Sequence, residues 1–198
     1  MQCLVLPFAL LLGSPPAEAG HGLMNAFADI AWLPDAGRTP ADADYPLDRA
    51  AEAARLAIAD DAGRFALLLE FQREKLAEVD AMVRAEHRDA AAVAVAAYVD
   101  YLARAAALVD AGDAAVAAQR ARTLAGVLLE HRYIMSVNYL DMPRAARGVV
   151  GTVIDAASAH YERLVATLPR TFREAQFFRE EEVRWSWEVA RQADAQGL

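Results

Sequence analysis

The spacing of apolar residues is the feature that most constrains the fold of this chain. Over most of its length, leucine, valine and aromatic residues recur at three- and four-residue steps, which is the period of one helix face. Leu76, Val79 and Val83 follow this rule within the segment 62–85. Alanine, the residue with the highest helix propensity, fills many of the positions between them. No stretch alternates with a two-residue period for long enough to predict a sheet, so we expect an all-α protein.

Turn-forming residues divide the helical pattern into six segments. Asp89 and Asp113 can cap helix starts, Gly112 suits a left-handed helix end, and Pro143 interrupts the pattern. Short turns between long helices make neighbouring helices antiparallel. The sequence therefore predicts an antiparallel helical bundle of about five or six helices, built from helical hairpins. The predicted helices span about 47–59, 62–85, 90–111, 114–139, 143–167 and 171–195.

The second predicted helix is amphipathic in the usual way. Its apolar stripe is expected to face the core, and its charged residues are expected to fill the opposite face. The residues assigned to this charged face are Glu70, Arg73, Glu74, Lys75 and Glu78.

The N-terminal segment 1–19 has the features of a secretory signal peptide. An apolar run, Leu4–Gly13, precedes Ala17-Glu18-Ala19, which is a small-x-small cleavage site. We expect cleavage after Ala19 and export to the periplasm or the extracellular space. No lysine or arginine precedes the run, so an apolar tail on a cytosolic protein is the alternative interpretation.

The remainder of the chain divides into two parts. Residues 20–44 are rich in glycine, proline and aspartate, which predicts a linker or a strap lying on the bundle. Residues 45–198 carry the helical pattern and are expected to form the bundle domain.

Two segments of this domain resemble an uncharacterised bacterial domain family. They are Tyr45-Pro46-Leu47-Asp48-Arg49-Ala50 and Phe71-Gln72-Arg73-Glu74-Lys75-Leu76-Ala77-Glu78. Members of that family typically open with Tyr-Pro-Leu-Lys and are often exported or membrane-tethered, and Asp48 stands where they usually have lysine. The resemblance covers Tyr45 to Leu168 and implies a helical, extracytoplasmic domain. It implies no activity.

Charge and motif content exclude several classes of function. The formal net charge of -8 is opposite to what nucleic acid or an anionic membrane attracts, so we expect neither partner, apart from membrane contact during export. The only cysteine, Cys3, lies in the predicted signal peptide. The chain contains no Gly-x-Ser-x-Gly sequence and no phosphate-binding glycine loop. We therefore expect a protein that is not an enzyme and holds no cofactor.

The histidines offer one candidate metal site. His131 and His160 fall on the apolar faces of consecutive predicted helices, but no Glu-x-x-His pair of the di-iron type occurs. The two histidines would be offset by roughly 10 Å along an antiparallel hairpin, at about 1.5 Å of rise per residue. The preferred interpretation is therefore that each is a hydrogen-bonded core residue.

The last predicted helix concentrates aromatic and arginine residues. Phe178 and Trp185 are expected to point towards the core, and Phe177 and Trp187 partly elsewhere. Phenylalanine, tryptophan and arginine are enriched at protein interfaces, so Phe177, Arg184 and Trp187 are candidate interaction residues. The alternative is that these aromatic residues cover the alanine-rich faces of the bundle.

These observations favour an exported helical bundle that serves as a structural or protein-interaction module. A periplasmic chaperone or envelope-stress sensor is the first alternative, and a metal-binding bundle is the second. A protein partner is compatible with the pattern, and the sequence leaves the oligomeric state open.

Overall fold

A computed structural model of the chain describes residues 26–197. Over these residues it contains six α-helices, two short 3-10 turns and no strand, which confirms the all-α prediction. The predicted signal peptide and the first residues of the predicted linker lie outside the described residues. The helices are α1 Tyr45–Ile58, α2 Asp61–Arg84, α3 Arg88–Asp110, α4 Ala114–Asn138, α5 Arg147–Thr167 and α6 Arg170–Ala195.

The bundle is built from two helical hairpins. The α2–α3 hairpin packs against the α4–α5 hairpin, while α1 lies on α2 and α6 lies on α4. Among the described residues, α3 alone has the length and apolar composition of a membrane span. A core helix meets the same criterion, and α3 contacts α2, α4 and α5 at the centre of the bundle.

The core combines large side chains with alanines that allow close approach between helices. Tyr98 and Leu102 of α3 are fully buried, together with Leu124 and Leu128 of α4. Burying each such leucine contributes about 1.5–3 kcal/mol. Three alanines along α3 are also completely buried, namely Ala91, Ala94 and Ala105.

The helix ends agree with the predicted capping only in part. Asp113 caps α4, because its carboxylate accepts from the N–H groups of Ala115 and Val116 at 3.0 Å. Asp89 does not cap α3, because the helix begins at Arg88 and Asp89 lies in its first turn. Gly112 is not left-handed either. Left-handed residues follow two other helices: Glu86, with φ of 58°, reverses the chain between α2 and α3, and Gly197, with φ of 83°, follows α6.

The junction between α4 and α5 is longer than predicted. Two 3-10 turns, Tyr139–Asp141 and Arg144–Ala146, follow α4, so α5 begins after Pro143 rather than at it. The buried Arg147 stabilises this junction by donating to the carbonyls of Met142 and Leu140 at 3.1 and 2.8 Å. Carbonyls that a continuous helix would have satisfied are paired in this way.

The described part of the segment before α1 lies against α2, α4 and α6. The ring of Phe27 is buried and stacks on Tyr133 of α4, with 4.2 Å between ring centroids. Arg179 of α6 donates to the carbonyl of Ala26 at 3.0 Å. Arg73 of α2 donates to the carbonyl of Trp32 at 2.6 Å. These contacts hold the segment on the bundle at several separate points.

Candidate functional site

A cluster of charged side chains is buried between α1 and α2. Lys75 is completely inaccessible to solvent, and its ammonium lies 2.6 Å from Glu52 Oε1 and 2.5 Å from Glu78 Oε1. Both carboxylates are buried as well. Placing Lys75 and Glu78 on the solvent-facing side of the second helix was therefore wrong. They are buried because α1 supplies Glu52 to complete the set of charges.

Arginine and tyrosine side chains complete this polar cluster. Arg49 Nη1 donates to Glu52 Oε2 at 2.5 Å, and the hydroxyl of Tyr101 donates to the same oxygen at 2.6 Å. The hydroxyl of Tyr45 donates to Glu78 Oε2 at 3.1 Å. We define the polar cluster as Tyr45, Arg49, Glu52, Lys75, Glu78 and Tyr101.

Oppositely charged groups lie close together in the polar cluster. Each carboxylate oxygen of Glu52 and Glu78 has a cation or hydroxyl within 3.1 Å, and Asp48, at the edge of the cluster, lies 3.9 Å from the Lys75 ammonium. Burial raises the pKa of Glu78, although hydrogen bonds from Lys75 and Tyr45 oppose that change. Burial and the neighbouring Glu78 carboxylate also raise the pKa of Tyr45.

The polar cluster acts as a clamp between three helices, since Glu52 lies on α1, Lys75 on α2 and Tyr101 on α3. A buried ion pair contributes little compared with an apolar replacement, but it strongly penalises arrangements that leave one charge unpaired. The cluster therefore fixes the position and register of α1 on the bundle.

His131 of α4 is a buried, neutral histidine. Its Nδ1 lies 3.2 Å from the hydroxyl of Tyr98. Burial, with a further contribution from the charge of Arg73, lowers the pKa of His131 to about 3. Burial also lowers the pKa of His160, which is half-buried on α5.

The described residues do not provide a set of ligands for the metal site considered from the sequence. Within residues 26–197, no group of three or more histidine, cysteine, aspartate or glutamate side chains is placed to hold an ion. A cleft of about 210 Å³ lies between α2 and α4 beside His131. It is lined by Leu69, Glu70, Arg73, Val127, Glu130 and His131.

The inner side of α6 carries small residues where it packs on α4. Val183, Ser186 and Ala190 are buried, and the hydroxyls of Ser186 and Ser136 lie 2.7 Å apart. Trp187 is half-buried, and its ring meets Tyr139 edge-on at 5.0 Å. Trp187, a predicted interaction residue, thus packs at the α4–α5 junction with one side of its ring, and its role in an interaction stays a prediction.

The opposite side of α6 is apolar and exposed. The prediction that Phe178 and Trp185 face the core was wrong, since 55% and 59% of these residues are accessible. Phe177 is 52% exposed, and its ring lies edge-on to that of Phe178 at 5.4 Å. We define the outer face of α6 as Phe177, Phe178, Trp185 and the exposed Val189. Arg184 is exposed beside it and pairs with Glu181.

Comparison with known proteins finds a family model that matches part of the chain. Residues 37–132 match the family model DUF5667, a domain of unknown function. The prediction of an uncharacterised domain family is thereby confirmed, over a shorter span than the predicted Tyr45–Leu168. No curated protein and no solved structure matches the chain.

The limits of the DUF5667 match separate the two features of interest. The whole polar cluster lies inside it, so the clamp between α1, α2 and α3 belongs to the DUF5667 segment. The match ends at Arg132, within α4. The outer face of α6 lies beyond it and is carried on a helix that packs against the end of the matched region.

One signal in the sequence could have revealed the polar cluster. Lys75 is the only lysine in a chain whose other basic side chains are arginines. An ammonium is a compact charge that two carboxylates can enclose, whereas a guanidinium needs more space for its fork of donors. A single lysine in an arginine-rich chain is therefore a candidate for an enclosed position.

Proposed function

We propose that this chain is a non-catalytic, exported helical module that binds a protein partner through the outer face of α6. The DUF5667 segment serves as its scaffold, and α6 presents the binding surface. The observation that carries the proposal is the exposure of Phe177 and Phe178, which lie in contact with each other on a helix anchored from its other side.

The way α6 is attached to the bundle supports the proposal that its outer face binds a partner. Trp187 packs on Tyr139, and Asp194 pairs with the buried Arg147 at 2.5 Å. The helix is therefore held along the bundle by its inner side, and its large aromatic residues are not needed there. Isolated exposed apolar residues are common on proteins, but clustered ones are typical of interaction surfaces.

The chemistry of the interior supports a binding role over a catalytic one. The charged groups of the polar cluster form ion pairs with one another. The imidazole of His131 is neutral and shares a hydrogen bond with the hydroxyl of Tyr98. A catalytic group needs access to a substrate. Glu52, Lys75 and Glu78 are buried, which argues against such access.

Site-specific photo-crosslinking in the producing cell tests the proposed binding role. A photoreactive phenylalanine at Phe178 is expected to form a discrete crosslinked product with a protein. The same group at Ile58, which is 88% exposed on α1, is the matched control and should give no such product. Equal products at both positions, or no product at Phe178, would contradict the proposal.

Export is tested separately by the mass of the mature protein. Residues 1–19 support the proposal of a secreted chain, since they combine an apolar run with a small-x-small site. The expected result is a product outside the cytoplasm that begins at Gly20. A cytoplasmic product that retains residues 1–19 would reject the proposed location.

A further inference from the structure

The residues around the exposed aromatic side chains of α6 follow a seven-residue repeat. Residues seven apart lie almost in line along a helix, because two turns contain about 7.2 residues. Phe178 and Trp185 form one such line, which we call the aromatic row. Glu174, Glu181 and Glu188 form a second line beside it, which we call the acidic row.

The acidic row is open to a partner along its length. Glu174 and Glu188 are exposed, and 43% of the side chain of Glu181 is accessible. Arg170 and Arg184 pair with Glu174 and Glu181. Helical geometry places these arginines on the side of the acidic row away from the aromatic row. The carboxylates therefore border the apolar surface directly.

The other side of the aromatic row carries no such open carboxylates. Glu182 lies there, but it is half-buried and accepts from the N–H of Ala26 at 2.8 Å, so it serves to hold the segment before α1. The acidic row is therefore the charged flank that an occupant of the aromatic row would meet. The chain as a whole carries a net charge of -8, which adds long-range attraction for a cation.

We propose that the occupant of the outer face of α6 is a basic amphipathic helix, with an apolar stripe flanked by lysine or arginine. This inference rests on the proposed binding function and adds the chemical class of the partner. Apolar contacts along a seam, with opposite charges beside it, are how paired helices select their partners. A basic helix places its cations against the acidic row while its apolar stripe covers Phe178 and Trp185.

A second copy of this chain fits the outer face less well. In an antiparallel two-fold pair of α6 helices, the acidic row of one copy would lie along the acidic row of the other, near Glu181. Like charges in such register destabilise a helix pair. The charge pattern therefore favours a partner of opposite sign over self-association.

Two synthetic helical peptides test this inference against the full chain. One carries leucine at heptad positions a and d and lysine at e and g, and the other has glutamate in place of lysine. Fluorescence anisotropy of the labelled peptides gives their affinities. We expect the lysine peptide to bind about tenfold more tightly or better, with a preference that weakens as salt is added.

Charge-reversal variants separate the acidic row from general charge attraction. The triple variant Glu174→Lys, Glu181→Lys, Glu188→Lys should lose the preference for the lysine peptide. A control triple, Asp110→Lys, Asp155→Lys, Glu162→Lys, alters exposed residues of α3 and α5 and raises the net charge equally. The control should keep most of the preference. Equal effects of the two triples, or no binding of the lysine peptide, would overturn the inference.

A third variant distinguishes failure of this inference from failure of the proposed function. Phe177→Ser with Phe178→Ser should weaken binding of the lysine peptide about tenfold or more, because the apolar contact is removed. If this variant loses binding while the wild type has no preference between the peptides, the surface binds but its partner is not basic. If the variant binds unchanged, the outer face of α6 is not the binding surface. Circular dichroism confirms that each variant is folded.

Discussion

The ammonium of Lys75 lies 2.6 Å from Oε1 of Glu52, in a position from which solvent is excluded on all sides. This contact joins α2 to α1, the helix with which the described bundle begins. α1 packs mainly on α2, and its attachment combines the buried Leu56 with the paired charges of the polar cluster.

Removing the cation should destabilise the fold strongly. Lys75→Met leaves Glu52 and Glu78 buried near each other without a cation between them, which should lower the free energy of unfolding by about 3–5 kcal/mol. Urea denaturation followed by circular dichroism measures the change. Arg84→Met is the matched control, because Arg84 pairs with Asp80 on the same helix at 2.8 Å but is 41% exposed.

The control variant should cost clearly less than Lys75→Met, because solvent reaches both partners of the Arg84–Asp80 pair, whose side chains are 41% and 19% exposed. Replacing Glu52, Lys75 and Glu78 together with leucine, methionine and leucine should recover most of the loss, since an apolar set leaves no unpaired charge. If Lys75→Met and Arg84→Met cost the same, the polar cluster is not a clamp.

The buried His131 should make the fold sensitive to acid. The pKa of His131 is about 3 in the folded chain against 6.5 for a free histidine, so the unfolded chain binds the proton more readily between these values. The stability contributed by the neutral imidazole is complete above pH 6.5. It is lost as the pH falls towards 3, at up to about 1.4 kcal/mol per pH unit.

Unfolding measured from pH 4 to pH 8 checks this dependence. His131→Gln retains a polar group for Tyr98 but has no proton to take up, so its stability should fall less steeply than that of the wild type. His87→Gln, at an exposed position before α3, is the matched control substitution. Identical slopes for the wild type and His131→Gln would show that His131 is not the group responsible.

Substitutions on the two sides of α6 should differ in how much they lower the free energy of unfolding. Trp187→Ala removes the edge-on contact with Tyr139 and should cost about 2–4 kcal/mol. Phe178→Ser removes an exposed ring and should change the free energy of unfolding by less than about 0.5 kcal/mol. Thermal or urea denaturation measures both. A larger cost for Phe178→Ser than for Trp187→Ala would mean that α6 packs in a different orientation.

The bundle itself could be predicted because local signals determine it. The spacing of apolar residues predicted that these segments are helical. Asp113 marked the start of α4, because its capping hydrogen bonds involve only residues two and three positions away. The left-handed positions at helix ends were harder to predict. Gly112 suited that conformation after α3, but the structure has it at Glu86 after α2 and at Gly197 after α6.

The candidate sites could not be predicted from local patterns. Lys75 and Glu78 are buried because of Glu52 and Tyr45, which lie outside their own helix, and a helical projection of α2 contains no information about them. The predicted orientation of α6 was wrong for a related reason. Close approach of α4 and α6 at Ser136 and Ser186 requires small residues, so the aromatic side chains of α6 were displaced outward.

NMR mapping of the contact surface tests directly whether the outer face of α6 binds a basic amphipathic helix. Isotope-labelled chain is titrated with the lysine-bearing helical peptide, and shifts of amide and side-chain signals are followed residue by residue. We expect the largest shifts on α6, with little change at Lys75. The α6 residues concerned are Phe177, Phe178, Glu181, Trp185 and Glu188. Shifts concentrated on α1 or on the α2–α3 turn, with α6 unchanged, would contradict it.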